Sequence, residues 1–226
     1  MRPSDTKPRK RRPARFSADA VPRPSTFGEH IAHLISQLGS PPAVAVYGSV
    51  FTATSIPAPA PWSWVILFVF FALVAPLLFL IWQVKRGDVT DIDIHFRQQR
   101  KWALLVTIAG FAATWVAMML GNAPPILRLM VGTGLLEWTA IYLVTLRWKI
   151  SIHAASISGI ATFLVWGFGL SAAPALLAIP VVGWSRVKLR RHTPAQVLAG
   201  IGLGSLSFAA ALIFSRQVIV PGRIAR

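Results

Sequence analysis

An all-α, polytopic membrane helical bundle of six or seven spans is the fold class this sequence predicts, on three observations. Of its 226 residues, 54% are hydrophobic and only 13% charged, a balance more apolar than a single water-soluble core requires. Runs free or nearly free of charge recur at about 62–84, 102–120, 126–147, 154–168, 171–184 and 195–215; most have the length at which a helix crosses a hydrocarbon layer of ~30 Å. Three polar segments, "KRGDVTDIDIHFRQQRK" (85–101), "RWKIS" (147–151) and "SRVKLRRH" (185–192), interrupt the runs two at a time. Parity therefore puts all three segments on one side of the membrane.

Along the chain, residues 1–26 read as a disordered basic tail. Eight of the 23 Lys and Arg precede residue 24, and Pro, Arg and Lys without apolar periodicity cannot bury enough surface to offset the entropy of ordering. "KPRKRRPAR" is not accompanied by a folded reader or an aromatic platform, so no nucleic-acid partner is expected; the tail suits anionic lipid headgroups instead. No compact apolar core and cleavage site follow it, so it does not read as a secretory signal.

Residues 27–60 are expected to hold an interfacial helix and a weak first span. "FGEHIAHLISQL" puts Phe27, Ile31, Leu34, Ile35 and Leu38 on one helical stripe. The prolines at 41 and 42 are expected to end that helix, and "AVAVYGSVFTATSI" after them is short for a crossing. Residues 61–216 form the membrane domain, and 217–226 a C-terminal tail. The fourth and fifth runs are short and broken by Gly and Pro.

The three polar segments hold eleven of the 23 cations, against Arg128 and the C-terminal arginines opposite. The positive-inside rule places these loops in the cytoplasm of a multi-pass cell-membrane protein. Trp62, Trp64, Trp82, Trp102, Trp148 and Trp184 flank spans as interface anchors. "GIGLG" at 200–204 lies inside a span without a preceding strand, so close helix packing explains it rather than nucleotide binding. The chain has no Cys, which excludes disulfides and thiolate metal sites.

Each polar segment runs directly into a helix. Ser151 and Thr193 are suited to N-cap the second and third of these, with Pro194 at the first helical position. Helix N-termini carry unpaired N–H groups and the positive dipole end. Three of them with Arg97, Arg100, Lys149 and Arg186 around them make an oxyanion site for which phosphate is the natural guest. His153 and His192 fall at the same helix starts. Two imidazoles beside a phosphate suggest phosphoryl transfer, one attacking phosphorus and the other protonating the leaving oxygen.

Those residues resemble the type 2 phosphatidate phosphatases, membrane lipid phosphate phosphatases related to the vanadium haloperoxidases, whose blocks read K-x6-R-P, P-S-G-H and S-R-x5-H-x3-D. Ser185, Arg186 and His192 reproduce S-R-x5-H, and Ser151 and His153 reproduce S-x-H; the similarity covers roughly residues 85–215, as a divergent member. The resemblance implies that His192 is the nucleophile forming a phosphohistidine, that His153 is the general acid, and that Arg100, Ser151 and Arg186 bind phosphate. It also implies a metal-independent reaction without a cofactor, and a lipid phosphate of phosphatidate or isoprenoid type as substrate.

The departures are specific. Asp93 stands at the Lys of the first block and Lys101 at its Pro, with Arg97 one turn before Arg100 as the replacement cation. Ile150 and Ile152 flank Ser151, and Gln196 stands where the family has the Asp that orients the nucleophile. A Gln carbonyl accepts the Nδ1 proton and fixes the tautomer, but stabilises imidazolium less than a carboxylate. The alternative is therefore a catalytically silent relative that binds lipid phosphate or scaffolds a membrane assembly. A transporter is a third reading, permitted by the broken spans and by Glu137 in mid-span; Glu137 reads equally as a protonated carboxyl between helices. His30 and His33 lack a partner set, and His95 lies beside the first block. Asp91 and Asp93 are expected to pair with Arg97 or Arg100 rather than bind metal.

Overall fold

The computed structural model describes residues 24–56 and 61–215, and all their regular structure is helical. Most of the basic tail and residues 217–226 lie outside the described residues. Five helical segments are long and apolar enough to cross a membrane: 61–85, 97–120, 125–145, 152–188 and 194–213.

Helix α1 (Phe27–Leu38) starts from a capping box in which Thr26 and Glu29 satisfy each other's backbone N–H groups. Its apolar stripe does not face the protein. Phe27, Ile31, Leu34 and Leu38 are exposed, while Ala32 and Ser36 are buried against the later helix α8 (Ala178–Lys188). The small face docks and the large apolar face points outward. The helix stops at Gly39, two residues before the prolines. Pro41 and Pro42 instead open α2 (Pro41–Thr54), since proline at a first turn lacks only an N–H that would be unpaired anyway. At ~1.5 Å per residue, α2 is about 21 Å long.

The next segment is α3 (Pro61–Phe68), a π-helical turn (Val69–Val74) and α4 (Ala75–Lys85). Pro76 cannot donate to the carbonyl four residues back and its ring crowds that carbonyl, so the turn before it widens. Helices α5 (Arg100–Leu120) and α6 (Pro125–Thr145) follow as an antiparallel pair. Helix α7 (Ile152–Phe168) ends at Gly169, whose φ of 67° only glycine adopts readily. A 3₁₀ stretch (Gly169–Leu177) containing Pro174 then leads into α8 (Ala178–Lys188). The segment doubles back: Arg186 near its end reaches His153 near its start. Helix α9 (Pro194–Ser215) packs along α7. Gly200 and Gly204 make this possible, because a Cβ at either would collide with the Ser151 or Ala155 carbonyl.

The core has two main layers, with a small third cluster of Val89, Ile94 and Ala103 at the 85–101 loop. Phe68, Phe111, Met118, Leu127, Met130, Phe163, Phe208 and Leu212 fill the half toward the α5–α6 turn, and Leu104, Ile141, Ile150 and Ala155 fill the half under the polar loops. Leu78, Leu136, Leu143, Leu198 and Leu206 face outward, as expected of helices that are apolar on every side. Trp62, Trp82, Trp102, Trp148 and Trp184 are exposed too.

Candidate functional site

The polar segments converge on a cavity of about 330 Å³ whose lining includes Asp93, Arg100, His153, Arg186 and His192 on its polar side. Leu73, Pro76, Leu77, Leu80, Leu104 and Trp138 supply much of its apolar wall. The cavity thus joins a charged roof to an apolar shaft between α4 and α5.

His192 is placed by the cap of α9. The Thr193 hydroxyl accepts from the Gln196 N–H at 3.3 Å, and Gln196 Oε1 accepts from the Thr193 N–H at 3.4 Å, a capping box of Thr and Gln. That reciprocal bond fixes the amide orientation, since only the oxygen can face a backbone N–H. The same oxygen lies 3.0 Å from His192 Nδ1, so Nδ1 carries the proton and Nε2 keeps its lone pair. Burial, followed by the positive charges of Arg100, Arg186 and Lys149, pushes the His192 pKa down to about 2, with the Gln196 bond opposing. The imidazole is neutral at physiological pH, the state a nucleophile requires.

His153 occupies the first turn of α7, behind the N-cap Ser151, whose hydroxyl accepts from the Ala154 N–H at 3.4 Å. Its Nε2 lies 3.5 Å from Arg186 Nη1. A guanidinium only donates, so in this arrangement Nε2 accepts and the ring proton resides on Nδ1.

Each arginine in the layer takes a partner from one loop. Arg100 Nε donates to the Ile94 carbonyl at 3.1 Å, while its Nη1 donates to the Ile150 carbonyl at 3.0 Å. Arg186 Nη1 pairs with Asp93 at 3.3 Å and also donates to the Ser36 hydroxyl of α1. Arg191 Nη1 pairs with Asp91 at 3.0 Å. The loop therefore lays a carboxylate, a carbonyl and another carboxylate across three guanidinium groups, held by a strained backbone: Ile94, a β-branched residue, has φ 45°.

Four expected site residues line the cavity: Arg100, His153, Arg186 and His192. Gln196 acts from behind His192. Ser151 is fully buried as a cap. Lys149 lies outside the lining; burial and then the Arg100 and Arg186 charges lower its pKa to about 8. Arg97 does not replace the missing lysine. Its guanidinium donates to the Thr145 and Leu146 carbonyls at the end of α6, where unpaired acceptors and the negative dipole end attract a cation. The expected pairing of Asp91 and Asp93 with Arg97 or Arg100 is likewise corrected: their partners are Arg191 and Arg186, which become neighbours only once α8 folds back. His95 sits beside the Arg191–Asp91 pair, 3.5 Å from Arg191 Nη1, and burial lowers its pKa. His30 and His33 are exposed.

The sequence reading missed Ser36. The signal was available: Ala32, Ser36 and Gly39 form a small-residue stripe opposite the apolar one, the composition of a docking face. Comparison of the chain with protein-family models, with curated proteins and with solved structures finds no match.

Proposed function

We propose that the chain is a membrane-embedded hydrolase that removes phosphate from a lipid phosphate through a phosphohistidine, with His192 as nucleophile. The observation that carries this reading is the Thr193–Gln196–His192 relay, which leaves a neutral imidazole with a free Nε2 lone pair on a cavity also lined by Arg100, Arg186 and His153. Nε2 attacks phosphorus and the bond to the lipid oxygen breaks. Once Arg186 has turned from His153 Nε2 to the phosphate, Nε2 takes up a proton from water, and the resulting imidazolium gives it to the departing oxygen. Water then attacks the phosphohistidine, giving inorganic phosphate and restoring the imidazole. Arg100 and Arg186 offset the developing charge on the phosphoryl oxygens.

The apolar shaft suits an acyl or isoprenoid chain. Six or seven crossings fit the same arrangement, because segment 152–188 goes out and returns, and α2 runs from the cavity, where Pro41 lies, to the far end of α7, where Phe51 meets Phe168 at 4.8 Å. The cation surplus of the loops supports a cytoplasmic site in a cell-membrane protein. A silent, lipid-phosphate-binding relative is favoured by one observation, the occupation of Arg186 by Asp93.

Phosphate release from phosphatidate and from a prenyl monophosphate by the purified protein tests the reading. Release should survive excess EDTA and vanish in His192→Ala. Activity lost to EDTA and restored by a divalent cation would contradict the charge stabilisation assigned to the arginines.

A further inference from the structure

Building on the phosphate reading of the cavity, we infer that Asp93 makes this pocket selective for a phosphate group bearing a single negative charge. The charged side chains lining the cavity are Arg100, Arg186 and Asp93, and their sum is one positive charge. His192 adds none, because its imidazole is neutral. A singly charged phosphate completes the balance. A dianionic one leaves an uncompensated charge in a buried site, against a carboxylate that is already there.

Geometry makes the carboxylate part of the pocket rather than a passer-by. Asp93 lies 3.3 Å from Arg186 Nη1. Asp91 and Ile94 on either side of it are tied to Arg191 and Arg100, so the loop cannot swing away without breaking both ties. Arg186 still has something to offer: it is 1% exposed, and its Nε–H has no partner. A buried guanidinium N–H left unpaired is costly, and one phosphoryl oxygen would satisfy it while Nη1 stays on Asp93. The site therefore provides for one added anionic oxygen beside a retained carboxylate. Around Asp93 the cavity is lined by Arg100 of α5, His153 of α7, Arg186 of α8 and His192 of the following loop, with Ser36 of α1 on Arg186; beyond the lining, the Arg191–Asp91 pair is neutral in sum, and Lys149, whose pKa is lowered to about 8, acts alike on both lipids.

Two sources share this chemistry: a phosphodiester lipid, always singly charged, and a phosphomonoester lipid that retains its second proton. The second proton of a phosphomonoester dissociates near pH 6, so the two can be separated. The experiment measures binding of dioleoyl phosphatidylglycerol and dioleoyl phosphatidate to the full chain in neutral detergent between pH 5 and 8. His192→Ala is run in parallel, so that turnover does not consume the monoester. The diester affinity should stay nearly constant, and the phosphatidate affinity should fall by about tenfold or more as its second charge appears. Asp93→Asn should abolish that fall, and Asp93→Glu should keep it.

A change shared by both lipids would assign the pH response to the protein and overturn the proposal, as would a phosphatidate affinity that is flat or rises with pH. An equal gain for both lipids in Asp93→Asn would mean that Asp93 merely blocks the site, which also overturns it. If Asp93→Asn fails to fold, the divergence of the two lipids on the Asp93-bearing protein decides. Binding of neither lipid would remove the phosphate reading itself, whereas binding of both without discrimination removes only the role of Asp93.

Discussion

Two buried polar regions of this molecule are handled in opposite ways. At the loop level, Arg100, Arg186 and Arg191 are each tied to a carboxylate or carbonyl of one loop, and His192 to Gln196. Deeper in the bundle, in the middle of α6, Glu137 is 3% exposed and its Oε1 has no partner. It borders a separate cavity of about 50 Å³ lined otherwise mostly by apolar groups such as Val44, Phe68, Phe111, Met130 and Phe208. That volume is large enough for a water molecule. The contrast separates a preorganised site from an isolated group: the first is fixed by many mutual bonds, while the second sits among apolar side chains with a carboxyl oxygen left unpaired.

Breaking the loop-level region should have the largest effect. Arg186 joins α1, the Asp93 loop and α7 through one guanidinium. Arg186→Gln should cost about 3 kcal/mol of stability by stranding Asp93, and lower phosphate release by roughly 10²-fold or more. Thermal unfolding and turnover, measured side by side, check both. Unchanged stability would mean that the Asp93 pair contributes nothing net.

Gln196 probes the same region more gently. Gln196→Leu removes both the His192 acceptor and half of the α9 capping box, so single-turnover rates should fall by about tenfold or more with a loss of about 1 kcal/mol in stability. Gln196→Asp keeps an acceptor and adds charge, so its rate should match or exceed that of the unaltered protein. Equal rates for Leu and Gln would show that position 196 does not orient the nucleophile.

Much of this contrast was legible in the sequence, and the rest was not for physical reasons. Hydropathy located the long apolar helices because a hydrocarbon layer imposes length and apolarity one segment at a time. Ser151 and Thr193 were recognisable as caps because capping is local. The partners of Asp91 and Asp93 were not, since they depend on α8 returning to the loop layer, a long-range event that leaves no local pattern. Arg97 was misread for a related reason: its spacing from Arg100 suggested a shared target, but a turn of 3₁₀ helix at Arg97–Gln99 sends it to the end of α6. The prolines at 41 and 42 look like a stop to the preceding helix, but their place after the N-cap Ser40 makes them a start.

The smallest effect is expected at Glu137. Glu137→Gln keeps the shape and removes the possibility of charge, so stability should change by less than about 1 kcal/mol and phosphate release should be unaltered. A loss of activity comparable to that of Gln196→Leu would join the two regions functionally and remove the contrast drawn between them.

The central claim is that His192 carries the phosphoryl group. Brief incubation of the purified protein with lipid phosphate labelled in the phosphoryl group, quenched in alkali where phosphohistidine survives, tests it most directly. The account predicts acid-labile label on the peptide containing His192, near one equivalent per chain when attack outpaces hydrolysis, and none in His192→Ala. Phosphate release without any label, or equal label in His192→Ala, would contradict it.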